Sequence, residues 1–223
     1  MPNHQKMRIF ACWVLTISLI GFSVLGCTAT PERYHPEFSR YRKSMDTLLV
    51  LAPEIAIFEQ MPDGSRLFRD IQSKEAQGTA LQSIVNELSR RHFTVHTADD
   101  AMMRMPEIRS VASLFRSVNR SIQLHTFGPQ IYPSKLGAFE YSVGKVDDIL
   151  KIAGADGLVL AIGYQTGSDQ PAKNWLSIAV VEPQGHIIWY GVQGDHLRYN
   201  FHQPQSLAAL VTSAMARFWE SGS

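Results

Sequence analysis

Cysteine is nearly absent from this chain, and neither sign of charge dominates it. The two cysteines, Cys12 and Cys27, both fall within the first 27 of 223 residues. That excludes a disulfide framework for everything downstream. Lys and Arg number 21 against 20 Asp and Glu, a net charge of +1. Lys6 and Arg8 are the only charged residues among the first 26, so the remainder carries 19 basic against 20 acidic side chains. A near-neutral balance offers no electrostatic footprint for nucleic acid. Also missing are a G-x-S-x-G elbow, a phosphate-cradling P-loop, an H-E-x-x-H helix and a C-x-x-C pair. Their absence removes the usual sequence grounds for a serine hydrolase, a nucleotide enzyme or a zinc site. No catalytic residue, metal site or cofactor is expected.

One long apolar run is present. Residues 9–26 are nearly all apolar or small and follow the cations Lys6 and Arg8. This is the layout of an export leader, at the lower length limit for a spanning helix. It ends in Val24-Leu25-Gly26-Cys27. An uncleaved anchor and a soluble export signal are the alternatives to processing at this cysteine.

The rest of the chain, 45% hydrophobic and 18% charged overall, is that of an ordinary folding protein with room for one domain. Thr28 to Ser44 holds Pro31, Pro36 and several charges without apolar periodicity. It is expected to be a tether of 17 residues, reaching about 55 Å when extended. Arg40, Arg42 and Lys43 within it suit either lipid head groups or a solvated flank.

From residue 46 to 221 a single α/β domain is expected, with a mixed sheet of about five or six strands and helices packed on it. Thr47 to Phe58 reads as two strand pieces interrupted by Pro53, and Met61-Pro62-Asp63-Gly64 as a turn pairing 54–60 with 65–71. Ser73 is the expected cap of a helix from Lys74, with Leu81, Ile84, Val85 and Leu88 as its stripe. Phe93 to Thr97 follows as a strand. Pro106 opens a helix whose Ile108, Val111, Phe115, Val118 and Ile122 share one face. A short helix spans 146–153, and Gly157 to Tyr164 is apolar enough for a strand buried on both faces. Residues 175–181 and 186–192 flank a Pro-Gln-Gly turn as a second hairpin. A last helix carries Leu207, Leu210, Val211, Ala214, Met215 and Phe218.

Few groups promise chemistry. His92 and His96 stand four apart, but on a strand that spacing separates them by roughly 13 Å. Asp195, His196 and His202 are the acid and histidine cluster on which an envelope hydrolase would rest. Asp147 and Asp148 suit a helix start, and Asp156 suits a turn. Binding surfaces offer more. Arg109, Arg116 and Arg120, spaced by 7 and 4, line one helix face and could meet an acidic partner or anion, or simply be solvated. Tyr199 and Phe201 form a possible aromatic platform if exposed, and core if not.

The stretch ending in Cys27 resembles the lipobox of bacterial lipoproteins, in which the cysteine is acylated and becomes the first residue. The resemblance implies a lipoprotein signal peptide over 1–26, a lipidated Cys27 with its tether over 27–45, and attachment to the membrane. Thr28 in the next position implies the outer membrane, with the domain facing the periplasm or, alternatively, the cell surface. Asp46-Thr47-Leu48-Leu49-Val50-Leu51-Ala52-Pro53-Glu54, Phe139-Glu140-Tyr141-Ser142-Val143-Gly144 and Gly154-Ala155-Asp156-Gly157-Leu158-Val159-Leu160 are similar to stretches of a group of bacterial outer-membrane lipoproteins. More distantly, the order of elements resembles the globular domains of CsgG, LpoB and the amino-terminal domain of TolB. This implies a non-enzymatic accessory or assembly factor with an envelope protein partner. A lipoprotein that captures a glycan or other envelope component is the alternative, and an envelope hydrolase the third.

Overall fold

Pro53 divides the first apolar run into two strands that share one neighbour. In the computed structural model, which describes residues 32–126, 139–167, 173–194 and 198–218, strand β2 (Thr47–Val50) ends just before it and β3 (Glu54–Gln60) begins just after. The ten-residue strand β6 (Gly157–Thr166) pairs in parallel with both, Leu48 to Val50 against its first half and Glu54 to Phe58 against its second. The sheet therefore forks. Beyond β2 lies β5 (Thr94–Thr97), parallel, and beyond β3 lies β4 (Arg66–Phe68), antiparallel.

On its other side β6 pairs antiparallel with β7 (Lys173–Val181), then come β8 (Ile187–Gln193) and β1 (Glu32–Tyr34). The sheet is mixed and eight-stranded among the described residues, against the five or six strands expected. Six helices pack on it: α1 (Phe38–Arg42), α2 (Asp70–Arg90), α3 (Asp100–Met103), α4 (Pro106–Thr126), α5 (Asp147–Ala153) and α6 (Pro204–Ala214).

The pleat sorts the strands' side chains to opposite faces. Leu48, Val50, Ile55, Ile57, Val159 and Ile178 meet α2 and α6, whereas Leu49, Leu51, Leu158, Leu160, Ala179 and Val181 meet α4 and α5. The stripe expected on α4 is present, with Ile108, Val111, Phe115 and Ile122 buried and Val118 packed against them. All strands and both apolar layers lie within residues 32–218, which belong to one compact unit. That part carries its own hydrophobic core, as a domain does.

Two expectations are corrected. The stretch read as a tether is folded from Glu32 onward. Glu32 to Tyr34 pair with Gly191 to Trp189, and the Phe38 ring, 5.0 Å from that of Tyr34, is buried in the core. Three well-placed apolar side chains, Tyr34, Phe38 and Tyr41, dock this segment even though it lacks a helical or strand period. Second, α2 begins at Asp70, so Ile71 is helical and Ser73 is no cap. The buried Ser73 hydroxyl donates to Arg69 O at 2.6 Å and accepts from Ile57 N at 3.0 Å. It satisfies a strand-edge donor that would otherwise be stranded in the core.

Candidate functional site

Four aromatic rings cross the sheet in a row that no helix covers among the described residues. Phe68 on β4 lies directly across from Phe58 on β3, and Tyr164 on β6 directly across from Trp175 on β7. Because Ala56 pairs with Tyr164, Phe58 and Tyr164 are diagonal neighbours on the same face. Ring centroids are 5.4 Å apart for Phe68 and Phe58, 5.4 Å for Phe58 and Tyr164, and 6.3 Å for Tyr164 and Trp175, the last pair stacked. Phe58, Tyr164 and Trp175 are half-buried. Phe68 is 47% exposed; Leu67, on the opposite face of β4, and Ile71 at the start of α2 are exposed as well.

Polar groups hold the row in place. Arg66 Nη1 donates to the Tyr164 hydroxyl at 2.9 Å, and Arg69 pairs with Glu59 on the next strand. Glu54, two pleats from Phe58 on the same strand face, accepts from Arg116 Nη1 at 3.0 Å through both carboxylate oxygens. Arg116 thus joins α4 to the rim of the row. Arg109 and Arg120 are exposed on the same helix, and among the described residues no carboxylate pairs with either. The three arginines share a solvent face as their spacing predicts, but one is neutralised by Glu54.

Deeper under α4 a polar knot fixes the helix to the sheet. The Tyr190 hydroxyl donates to Asn119 Oδ1 at 2.7 Å and lies 2.9 Å from Ser177 Oγ, to which Gln123 donates at 3.1 Å. Burial pushes the Tyr190 phenol up to about 12. The phenol stays protonated and acts as a structural donor.

The other expected platform is core. Tyr199 and Phe201 are 6% and 3% exposed and belong to the α2–α6 layer. The reason is Gly163, since a β-carbon there would stand 3.1 Å from the Phe201 ring. Phe201 N–H donates to Gln165 Oε1 at 2.7 Å, and Asn174 donates to the Tyr199 carbonyl. Both aromatics are core, the alternative their sequence reading allowed.

The titratable groups act mostly as structural clamps. Asp156 accepts from the backbone N–H of Asp46 (3.1 Å) and Thr47 (2.9 Å), which anchors the start of β2. Asp147 and Asp148 pair with Lys151 one turn on. His96 Nδ1 lies 2.8 Å from Ala153 O, and His92 sits beyond the carboxyl end of α2. His202 is exposed and donates its N–H to Asn200 Oδ1 at 3.0 Å, while Asp195, His196 and Cys27 lie outside the described residues.

One acid–imidazole pair went unnoticed in the sequence, Glu182 with His186 Nδ1 at 2.7 Å. The same carboxylate also accepts from Gln184 N and His186 N, so it braces the β7–β8 turn. Among the described residues no hydroxyl or thiol hydrogen-bonds that imidazole, so no nucleophile stands ready for it.

No family model matches the chain, and no curated protein does either. Solved structures do. The lipoprotein GNA1162 of Neisseria meningitidis is similar over 80% of this chain and 99% of its own, at 12% identity and a TM-score of 0.36. The carboxy-terminal domain of LpoB is similar over 72% of this chain in two forms, each covered to 93%. The Salmonella enterica form is 17% identical with a TM-score of 0.31, and the Escherichia coli form 14% identical with a TM-score of 0.32. The chain is thus similar to bacterial lipoproteins, LpoB among them, as its sequence resemblance implied. A likeness at this level lends it no residue role and no activity.

Proposed function

We propose that this chain is a lipid-anchored protein of the bacterial envelope, acylated at Cys27, which acts as a non-enzymatic accessory or assembly factor by docking a partner protein. The observation that carries the docking part is the row Phe68–Phe58–Tyr164–Trp175, ordered, partly exposed and free of acid–base machinery. Its length, across four strands, suits a protein surface better than a small ligand, which would call for an enclosing cleft. Arg109 and Arg120 are exposed on α4, the helix that Arg116 ties to Glu54, so an acidic segment of the partner would be met there. The lipobox-like Val24-Leu25-Gly26-Cys27 supports the anchor, and Thr28 supports the outer membrane with the domain in the periplasm.

Both halves can be tested separately. Cells fed labelled palmitate should yield a labelled polypeptide that begins at Cys27, with three acyl chains by mass. An unlabelled polypeptide retaining residues 1–26 would overturn the anchor. For the docking face, Leu67→Ser with Phe68→Ser should abolish the phenotype-restoring activity of the gene while the purified protein keeps its melting temperature within a few degrees. Full restoration by that variant would remove the row from the function.

A further inference from the structure

Where α1 runs into β2 and α2 runs into β5, the fold leaves a cavity of about 410 Å³. Its buried lining is apolar, from Met45 and Phe93. Around these stand Ser39, Arg42, Lys43, Arg91 and His92, with Asp46 the single acid of the lining. Arg91 is compensated by Glu87 at 2.7 Å, but Glu87 also holds Arg90 at 2.6 Å, so two guanidiniums share one carboxylate. By composition, Arg42, Lys43 and Arg91 outnumber Asp46 in the lining.

The carbonyl end of α2, which would repel an anion, is already capped. Ser89 O accepts from His92 N at 3.0 Å, Leu88 O from Phe93 N at 3.3 Å, and Glu87 O from Arg91 Nη1 at 2.9 Å. His92 occupies the left-handed position of this cap with φ of 66°, a place where glycine is the usual residue. A side chain is therefore kept at the cavity lip despite a conformational cost.

A short series of hydrogen bonds links the cavity wall to strand β1 at the opposite edge of the sheet. Arg91 Nη2 donates to Met215 O at 2.8 Å; two residues on, Arg217 N donates to the Glu32 carboxylate at 3.2 Å, and the Tyr34 hydroxyl to Arg217 O at 3.0 Å. One short turn thus carries both the cavity wall and strand β1. Cys27 is only five residues before Glu32, a reach of at most about 18 Å.

We infer that this cavity receives the phosphate of an anionic phospholipid head group in the membrane to which Cys27 is attached, seating the domain on the bilayer. The proposal rests on the anchored reading above, but its test does not use the anchor. The chain beginning at residue 27 with Cys27→Ser, which carries the complete core, is mixed with vesicles of phosphatidylglycerol and phosphatidylcholine, or of phosphatidylcholine alone, and bound protein is sedimented. Binding should be confined to the anionic vesicles. Arg42→Gln with Lys43→Gln should weaken it about thirtyfold, and His92→Gly should weaken it without lowering the melting temperature.

Arg104→Gln with Lys173→Gln removes the same charge at the other end of the strands and should change binding less than about twofold. Equal losses for the two double variants would overturn the site in favour of general charge attraction. Inorganic phosphate alone should shift the backbone amide resonances of Lys43 and His92 and compete with vesicles. Phosphate shifts without any vesicle binding would overturn the lipid assignment, and no phosphate shifts would overturn the anion site. None of these failures touches palmitate labelling at Cys27 or the aromatic row.

Discussion

The two faces of the sheet are closed to different extents. On one, α2 and α6 cover β2, β3, β6, β7 and β8, helped by Phe38, Tyr199 and Phe201, and the Trp189 and Phe218 rings meet at 4.8 Å. On the other, α4 and α5 cover Leu158 and Leu160 in the first half of β6, and Tyr164 in its second half remains half-buried beside Phe58 and Trp175. Apolar side chains are present on both. Among the described residues, what separates them is the length of helix laid over the strands, and the comparison assigns scaffold to the covered face and contact surface to the less covered end.

Substitutions should break along that line. Ile84→Ala, on the sealed face and fully buried, should lower unfolding free energy in urea by about 3–4 kcal/mol. If Phe68→Ala cost as much, the row would be core and the distinction would fail. Glu87→Ala should cost about 3 kcal/mol, because Arg91 and the Thr212 hydroxyl lose their acceptor.

Burial raises the Glu87 carboxyl, but its bonds to Arg91 and Thr212 and the charges of Arg91 and Arg90 outweigh this and hold it below its ordinary 4.5. With the folded value the lower one, the unfolded chain binds the proton more readily. The stabilisation is complete above about 4.5 and disappears as pH falls through the folded value. The gap between wild type and Glu87→Gln in acid titrations should therefore close only below pH 4.5.

Tyr190→Phe, which orphans Asn119 under α4, should cost about 1–2 kcal/mol. Phe68→Ser should cost under about 1 kcal/mol while removing partner contact. His92→Gly should be the smallest change and of opposite sign, a gain of roughly 0.5 kcal/mol from relieving the left-handed residue, after allowing for glycine's entropy.

Much of the scaffold was legible because its signals are local. The spacing of Ile108, Val111, Phe115 and Ile122 names a helix face, and the apolar run from Gly157 to Tyr164 names a central strand. Pro53 marked the fork without revealing that β6 serves both branches. The contact surface was less legible, since the row exists only through three registers joining residues some 10 to 110 positions apart in a chain of this length. Alternation could place Phe58 with Glu54 and opposite Ile57, but not beside Tyr164. Phe201 was not legible as core because its burial depends on the missing side chain of Gly163 on strand β6. The folded segment from Glu32 to Arg42 was missed because a three-residue strand and a five-residue helix have no measurable period.

The division into sealed and open faces is tested most directly by photo-crosslinking in cells. A photoreactive side chain replaces Phe68 on the open end or Gln82 on the exposed side of α2, and the adducts are compared by mass. A discrete protein adduct is expected from position 68, with none from position 82. The same adducts from both positions, or an adduct from position 82 alone, would contradict the assignment.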